Sequence, residues 1–375
     1  VTGESENGRG LCVVFAGGGT GGHLFPALAI HEQLATMGDV RALYLCSRRP
    51  LDAEILKNEG VAYEPIPAEP FGVHPKRLLK FMWTWGDAVR AARTTIRRLK
   101  KESARVEVVA MGGFAAAPVA HAARLERCRV TLVNLDAVPG RANRLMSKRA
   151  ATILTATAAQ GFDWTVVPPI VRKAALAPGD AAHCRRELGL DAGKHTLLVT
   201  GASQGAGSIN KLMLAMAKQN AAALAGWQVI HQTGKSDTEE LRAAYASAGV
   251  HALVEPFFRV MGELWGAADC AVSRCGAGSV AEAWANKVPA IFLPYPYHKD
   301  EHQRRNAEPL ERAGGCEIVT DQISPEANLP EAGARTLALM ADGGRRDAMR
   351  AGLASLGPAD GAARVARAIV SREAH

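Results

Sequence analysis

A chain of 375 residues with 48% hydrophobic and 22% charged side chains is long enough for two well-filled domains and has the make-up of an ordinary globular protein. A net charge of +8 and a pI near 9.2 favour an anionic partner, either a phosphorylated small molecule or an acidic membrane surface; with no nucleic-acid-binding signature, nucleic acid is not expected. Seven scattered cysteines without a C-x-x-C pair fit reduced thiols of a cytosolic protein, and no apolar run approaches the ~20 residues of a membrane span, so membrane contact is expected to be peripheral.

Residues 1–10 are polar and read as a loose tail rather than a signal peptide. The run Leu11-Cys12-Val13-Val14-Phe15-Ala16 then predicts a buried strand. Gly17-Gly18-Gly19-Thr20-Gly21-Gly22-His23 follows, and a helix is predicted from Leu24 to Met37. A strand, a glycine-rich turn and a helix N-terminus form a cradle for an anion, with His23 at its mouth as a titratable group. A tight turn beside a buried histidine is the plainer alternative. Further strands are predicted at 40–45, 106–110, 129–133 and 152–154, with helices near 87–101 and 115–125. This alternation implies a parallel sheet covered on both faces.

Phe71 to Trp85 interleaves Leu78, Leu79, Phe81, Met82, Trp83 and Trp85 with Lys76, Arg77 and Lys80. Exposed, such a stretch is an interfacial anchor for anionic lipid; buried, it is core packing with snorkelling cations. A stiff connector, Thr165-Val166-Val167-Pro168-Pro169-Ile170-Val171-Arg172, precedes a restart of the pattern. Thr196–Thr200 reads as a first strand, followed by the loop Gly201–Gly207 and a helix, then by strands at 227–231, 251–255, 269–273, 289–293 and 316–319. The domains expected are therefore 11–168 and 169–357, with a final helix in 358–375 returning to the first. Neither loop is a dinucleotide fingerprint, because the second strand ends at Leu45-Cys46-Ser47 without an acidic residue, and neither carries the G-K-[ST] of a P-loop.

A third strand-end loop, Arg274-Cys275-Gly276-Ala277-Gly278-Ser279-Val280-Ala281-Glu282, opens another helix. Glu282 is placed to accept both hydroxyls of a ribose, or equally to serve as an ordinary dipole partner in a first turn. In His298-Lys299-Asp300-Glu301-His302-Gln303, Asp300 and Gln303 are candidates for sugar hydroxyls.

Taken in order, G-G-T-G-G-H, M-G-G-F at 111–114, A-V-P-G-R-A-N at 137–143, G-A-S-Q-G-A, H-Q-T-G at 231–234, the Gly276–Glu282 loop and H-K-D-x-x-Q-x-x-N-A resemble the MurG family of N-acetylglucosaminyltransferases, over residues 11–320. The resemblance implies an α/β chain of GT-B architecture, two Rossmann-like doubly wound domains facing across a cleft. It implies inverting transfer of GlcNAc from UDP-GlcNAc to the MurNAc 4-hydroxyl of lipid I, forming lipid II for peptidoglycan, with no cofactor and no catalytic metal. It also implies peripheral association with the cytoplasmic face of the membrane and partners among cell-wall synthesis proteins.

Carried over by position, the resemblance makes His23 the general base and places Thr20, Gly21 and Gly22 at the donor–acceptor junction. Gly18, Gly19, Gly112 and Gly113 are implied to receive the acceptor pyrophosphate. The donor falls to Arg172, Ser203, Gln204, the backbone of Phe258 for uracil, Ala277, Gly278, Ser279, Val280, Ala281, Glu282 and Gln303. Two positions depart from the family: Asp136 stands where an asparagine contacts the sugar, as a further catalytic and donor-site candidate, and Phe114 stands where a tyrosine is common. The rival readings are a GT-B transferase for another lipid, a UDP-GlcNAc 2-epimerase, and a nucleotide-sugar-binding protein without activity.

Overall fold

The computed structural model describes residues 10–71, 74–201, 206–234, 236–298 and 300–371. Two compact units meet at Arg172/Lys173, and the chain returns to the first unit from Asp360 onward.

The first unit holds β1 (Leu11–Ala16), β2 (Val40–Cys46), β3 (Tyr63–Pro65), β4 (Arg105–Ala110), β5 (Arg129–Asn134), β6 (Thr152–Thr155) and β7 (Thr165–Val166). They pair in the order β3-β2-β1-β4-β5-β6-β7, every pair parallel. Four helices matter for the site: α1 (Gly21–Leu34), α2 (Pro50–Asn58), α3 (Pro75–Glu102) and α4 (Gly113–Leu125). Val14, Val108 and Leu132 are fully buried between the sheet and its helices, as the continuous apolar runs require. The second unit holds β8 (His195–Thr200), β9 (Trp227–Gln232), β10 (His251–Glu255), β11 (Cys270–Ser273), β12 (Ala290–Phe292) and β13 (Cys316–Ile318), in the parallel order β10-β9-β8-β11-β12-β13.

Two features differ from the sequence reading. β3 and β7 are short edge strands that periodicity does not reveal, β7 lying inside the proline-marked connector. The helix predicted at 87–101 starts at Pro75, so the amphipathic 71–85 stretch is mostly helical. The helix Gly361–Ser371 docks in the first unit, where Gly361 donates its N–H to the Pro169 carbonyl at 3.2 Å. Any Cβ on Gly361 would overlap the Pro168 carbonyl oxygen. Arg105 at the start of β4 completes the docking by donating to the carbonyls of Ile369 and Val370, which the helix itself leaves unpaired.

Candidate active-site elements

In the first unit the strand order reverses between the adjacent strands β1 and β4, the place where doubly wound sheets have their ligand crevice, at the C-terminal ends of the strands. Thr20 is the N-cap of α1, without a side-chain cap, and no acidic residue occupies the first turn. The N-terminus at Gly21 and Gly22 therefore suits an anion. His23 lays its ring against the other loop: a Cβ on Gly113 would stand 3.1 Å from His23 Cε1, and one on Gly112 3.4 Å from Cδ2. Both glycines have positive φ, 99° at Gly112 and 77° at Gly113. His23 Nδ1 also lies 3.4 Å from the Thr20 hydroxyl. Burial pushes the imidazole below its ordinary pKa of 6.5, with Asp136, the Gly18 carbonyl and Asp52 acting in the opposite direction. At neutral pH the ring is the free base.

Sequence reasoning missed Asp52. Its carboxylate is fully buried and accepts the Gly19 N–H through both oxygens at 2.9 and 2.8 Å, together with the Ser47 N–H at 3.1 Å and hydroxyl at 2.6 Å. A Cβ on Gly18 would lie 2.3 Å from Asp52 Oδ2. Of the groups that Gly18 and Gly19 could offer an acceptor pyrophosphate, the Gly19 N–H is already taken by this buried carboxylate. At the next peptide, Arg49 Nη1 donates to the Gly19 carbonyl at 2.7 Å and its guanidinium lies 5.0 Å over the Phe114 ring. Nothing but a first-turn carboxylate in α2 marked Asp52 in the sequence.

Asp136 is half-buried at the end of β5, and its backbone carbonyl accepts from Asn134 Nδ2 at 2.7 Å. Asn143 donates to Asn134 Oδ1 at 2.9 Å, and its own Oδ1 would lie 2.8 Å from a Cβ on Gly112. The buried amide pair thus ties the A-V-P-G-R-A-N segment to the second glycine loop.

In the second unit the order reverses between β8 and β11, again opening a crevice. Ser203 and Gln204, in the loop after β8, lie outside the described residues. After β11 the helix Ala277–Asn286 begins at Gly276 with no acidic residue in its first turn. Cβ atoms built on Gly276 and Gly278 meet open space, so the backbone here is accessible to a ligand. Ser279, Val280 and Ala281 are buried, which leaves them the backbone and not the side chain for contact. Glu282 accepts from Trp265 Nε1 at 2.8 Å, and burial pushes its carboxyl up to about 7. Gln303 Oε1 accepts the Tyr295 N–H at 2.8 Å, leaving its amide nitrogen as the donor.

The Phe258 N–H is held by Gln232 Oε1 at 3.1 Å, so the Phe258 carbonyl is the backbone group this residue has left for a uracil unless the bond opens. This gives H-Q-T-G a structural meaning. His231 bridges Tyr245 and Asn210 inside the core, at 3.0 and 3.1 Å, with burial lowering its pKa to about 3, while Gln232 orders the Phe258 loop. Arg274 is buried against Asp321 at 2.7 Å and donates to Ser208 Oγ and the Leu293 carbonyl, joining the loops around this crevice.

Arg172, expected beside the donor diphosphate, is engaged elsewhere in this structure. Its guanidinium donates to Glu32 at 3.0 Å and bidentately to Glu59 at 2.7 Å, all within the first unit, so two carboxylates already neutralise it. The stretch in α3 divides. Leu79, Met82 and Trp83 are 57%, 63% and 78% exposed. Phe81 and Trp85 are half-buried, Phe81 edge-on to Phe71 at 5.4 Å and Trp85 against His121 at 6.2 Å, and so present less of their rings to solvent. The side chains of Lys76, Arg77, Leu78 and Lys80 lie outside the described residues. Among the described residues no helix is long and apolar enough to cross a membrane, and none of their His, Cys, Asp or Glu side chains form a group that could hold a metal ion.

The glycosyltransferase family 28 N-terminal domain matches residues 13–155 and the family's C-terminal domain matches residues 196–352. The curated UDP-N-acetylglucosamine–N-acetylmuramyl-(pentapeptide) pyrophosphoryl-undecaprenol N-acetylglucosamine transferase of Desulfotalea psychrophila is 32% identical over 376 residues, covering 96% of this chain and 97% of the relative. The chain belongs to the MurG family. Its counterpart in Mycolicibacterium smegmatis is 35% identical over 377 residues, with 97% and 94% covered. The crystal structure of Acinetobacter baumannii MurG superposes with a TM-score of 0.68 at 24% identity, covering 96% of this chain and 99% of that one. A putative UDP-N-acetylglucosamine 2-epimerase from Listeria monocytogenes shares the fold alone, with a TM-score of 0.61 at 13% identity and 97% and 96% covered. The two parallel-sheet units are thus the Rossmann-like domains of a GT-B glycosyltransferase.

Proposed function

We propose that this MurG-family chain transfers GlcNAc from UDP-GlcNAc to the 4-hydroxyl of MurNAc in lipid I, yielding lipid II and UDP. The observation that carries the reading is likeness over nearly the whole chain to transferases named for that reaction, at 32% and 35% identity. The chemistry of the first crevice supports it. Neutral His23 accepts the hydroxyl proton as the acceptor oxygen bonds to the anomeric carbon, and UDP departs with the electron pair of the broken C–O bond. Asp136 favours the imidazolium formed in that step, as its effect on the His23 pKa indicates.

On the donor side, the N–H groups of Ala277, Gly278 and Ser279 at a helix N-terminus suit the diphosphate, Glu282 the ribose hydroxyls and the Gln303 amide the sugar. Exposed Leu79, Met82 and Trp83 on α3 support peripheral contact with an anionic membrane at the cytoplasmic face, where lipid I would be met. A role in peptidoglycan synthesis, cell shape and division, together with other cell-wall proteins, follows from that placement.

The test is transfer from labelled UDP-GlcNAc to a short-chain lipid I analogue, for wild type and His23→Ala, with diacylglycerol and acceptor-free controls. Lipid II analogue formed by wild type and lost in the variant is the expected result. Turnover only on diacylglycerol, or epimerised nucleotide sugar without acceptor, would replace this reading.

A further inference from the structure

We propose that Arg49 is a binding residue for the pyrophosphate of the lipid-linked acceptor. The proposal rests on the transfer reading above and names the charge that its first crevice needs. A glycine loop at a helix N-terminus attracts an anion, yet here a fully buried carboxylate lies directly beneath it. Asp52 takes the Gly19 N–H through both oxygens, which removes one donor from the cradle. Its charge also opposes any anion placed above the loop, in surroundings where charges are weakly screened. A pyrophosphate at this loop therefore calls for a cation at the same residue.

Arg49 stands there. Its Nη1 donates to the Gly19 carbonyl at 2.7 Å, which sets the guanidinium one peptide away from Thr20 and the open start of α1. The Phe114 ring, 5.0 Å from the guanidinium carbon, backs the group and limits its rotation. Arg49 itself is exposed. Its guanidinium bonds a carbonyl and forms no ion pair among the described residues, unlike those of Arg172 and Arg274, which are paired with carboxylates. A guanidinium carries five N–H donors, so one bond to Gly19 leaves a fork for phosphate oxygens. Phe114, which departs from the family's tyrosine, has a use in this arrangement as the platform for the cation. The loop between β2 and α2 is then the second wall of the acceptor site, with Asp52 fixing the glycine loop and Arg49 restoring the field.

The experiment compares wild type, Arg49→Gln and Arg49→Lys in steady-state transfer to the short-chain lipid I analogue, with inorganic pyrophosphate as competitor. For Arg49→Gln the acceptor KM should rise roughly 10- to 100-fold, the range expected for lost charge-assisted hydrogen bonds. Arg49→Lys should fall between, and the donor KM should stay within about twofold for both, as a contact confined to the acceptor requires. Competition by pyrophosphate against the acceptor should weaken in parallel. An active Arg49→Gln enzyme with unchanged acceptor KM overturns the proposal, as does an equal rise in both KM values. If wild type does not use lipid I at all, the transfer reading fails first. Pyrophosphate binding measured calorimetrically with the donor site filled by UDP then decides: binding weakened by Arg49→Gln retains the anion contact, and unchanged binding removes it.

Discussion

Gly113 and His23 are packed so closely that a methyl group on Gly113 would stand 3.1 Å from the imidazole Cε1 and 3.0 Å from the Gly18 carbonyl oxygen. The φ of 77° at Gly113 adds backbone strain for any other residue. Gly113→Ala is therefore expected to displace the His23 ring, at about 1–3 kcal/mol, and to lower kcat by 10-fold or more with UDP affinity within twofold. Turnover kinetics with UDP titration calorimetry checks this; wild-type turnover would show that the contact is not needed.

His23→Ala should lower kcat by about 10²–10⁴-fold, the usual worth of a general base. In wild type the acid limb of the kcat profile lies below pH 6.5, because burial favours the neutral ring. Asp136 favours the protonated ring, so Asp136→Asn lowers the His23 pKa further and moves the acid limb to lower pH. A limb that moves upward, measured from pH 4.5 to 8, would remove Asp136 from the surroundings of the base.

Glu282 has a folded pKa raised to about 7 from 4.5, so the native state binds its proton more tightly than the unfolded chain. Stability of the free protein then falls as pH rises from about 4.5, and the loss is complete above about 7. Glu282→Gln should stabilise the free protein at pH 8 by about 1–3 kcal/mol, with no gain at pH 4. It should also weaken UDP-GlcNAc binding, since the ionised carboxylate is the better acceptor for two hydroxyls. Denaturation with and without UDP-GlcNAc at both pH values separates the two effects.

Removing one partner of the buried Arg274–Asp321 pair strands the other. Burial resists ionisation of Asp321, but the Ser208 hydroxyl, the Asn328 amide, the Ile323 N–H and Arg274 together hold its carboxyl below the usual range. Asp321→Ala is expected to cost about 3–5 kcal/mol in urea unfolding. Arg274→Leu combined with Asp321→Leu should cost less than the single change, and additive losses would show that the pair is not coupled.

Trp83 is 78% exposed, whereas Phe81 packs edge-on against Phe71. Trp83→Ser should reduce binding to vesicles containing anionic lipid several-fold while leaving the melting temperature within about 2 °C, as expected for a surface change. Phe81→Ser should instead lower the melting temperature and affect vesicle binding less. Flotation with and without 0.5 M salt, about 4 Å in screening length, measures the cationic contribution.

Much of the fold was legible because it is written locally. The runs at 11–16 and 196–200 are buried strands, and each leads through glycines into a helix. β3, with three residues, and β7, with two, left no periodicity to read. Glu282 and Gln303 stood out in the sequence as ligand candidates from their places after strand-end loops, but Gln232 and Asp52 did not, because each acts on backbone groups brought near only by folding.

By itself the sequence determined two strand–glycine–helix units, the family, and the histidine at the first loop. These depend on neighbours a few residues apart, where helix starts and positive φ impose residue types directly. Only the tertiary structure decided which polar groups are left for a ligand. Asp52, 33 residues from Gly19, takes its N–H, and Glu32 and Glu59, 140 and 113 residues from Arg172, take its charge. The physical reason is that a buried donor or charge must find a partner, and that partner is set by packing between elements far apart in the chain.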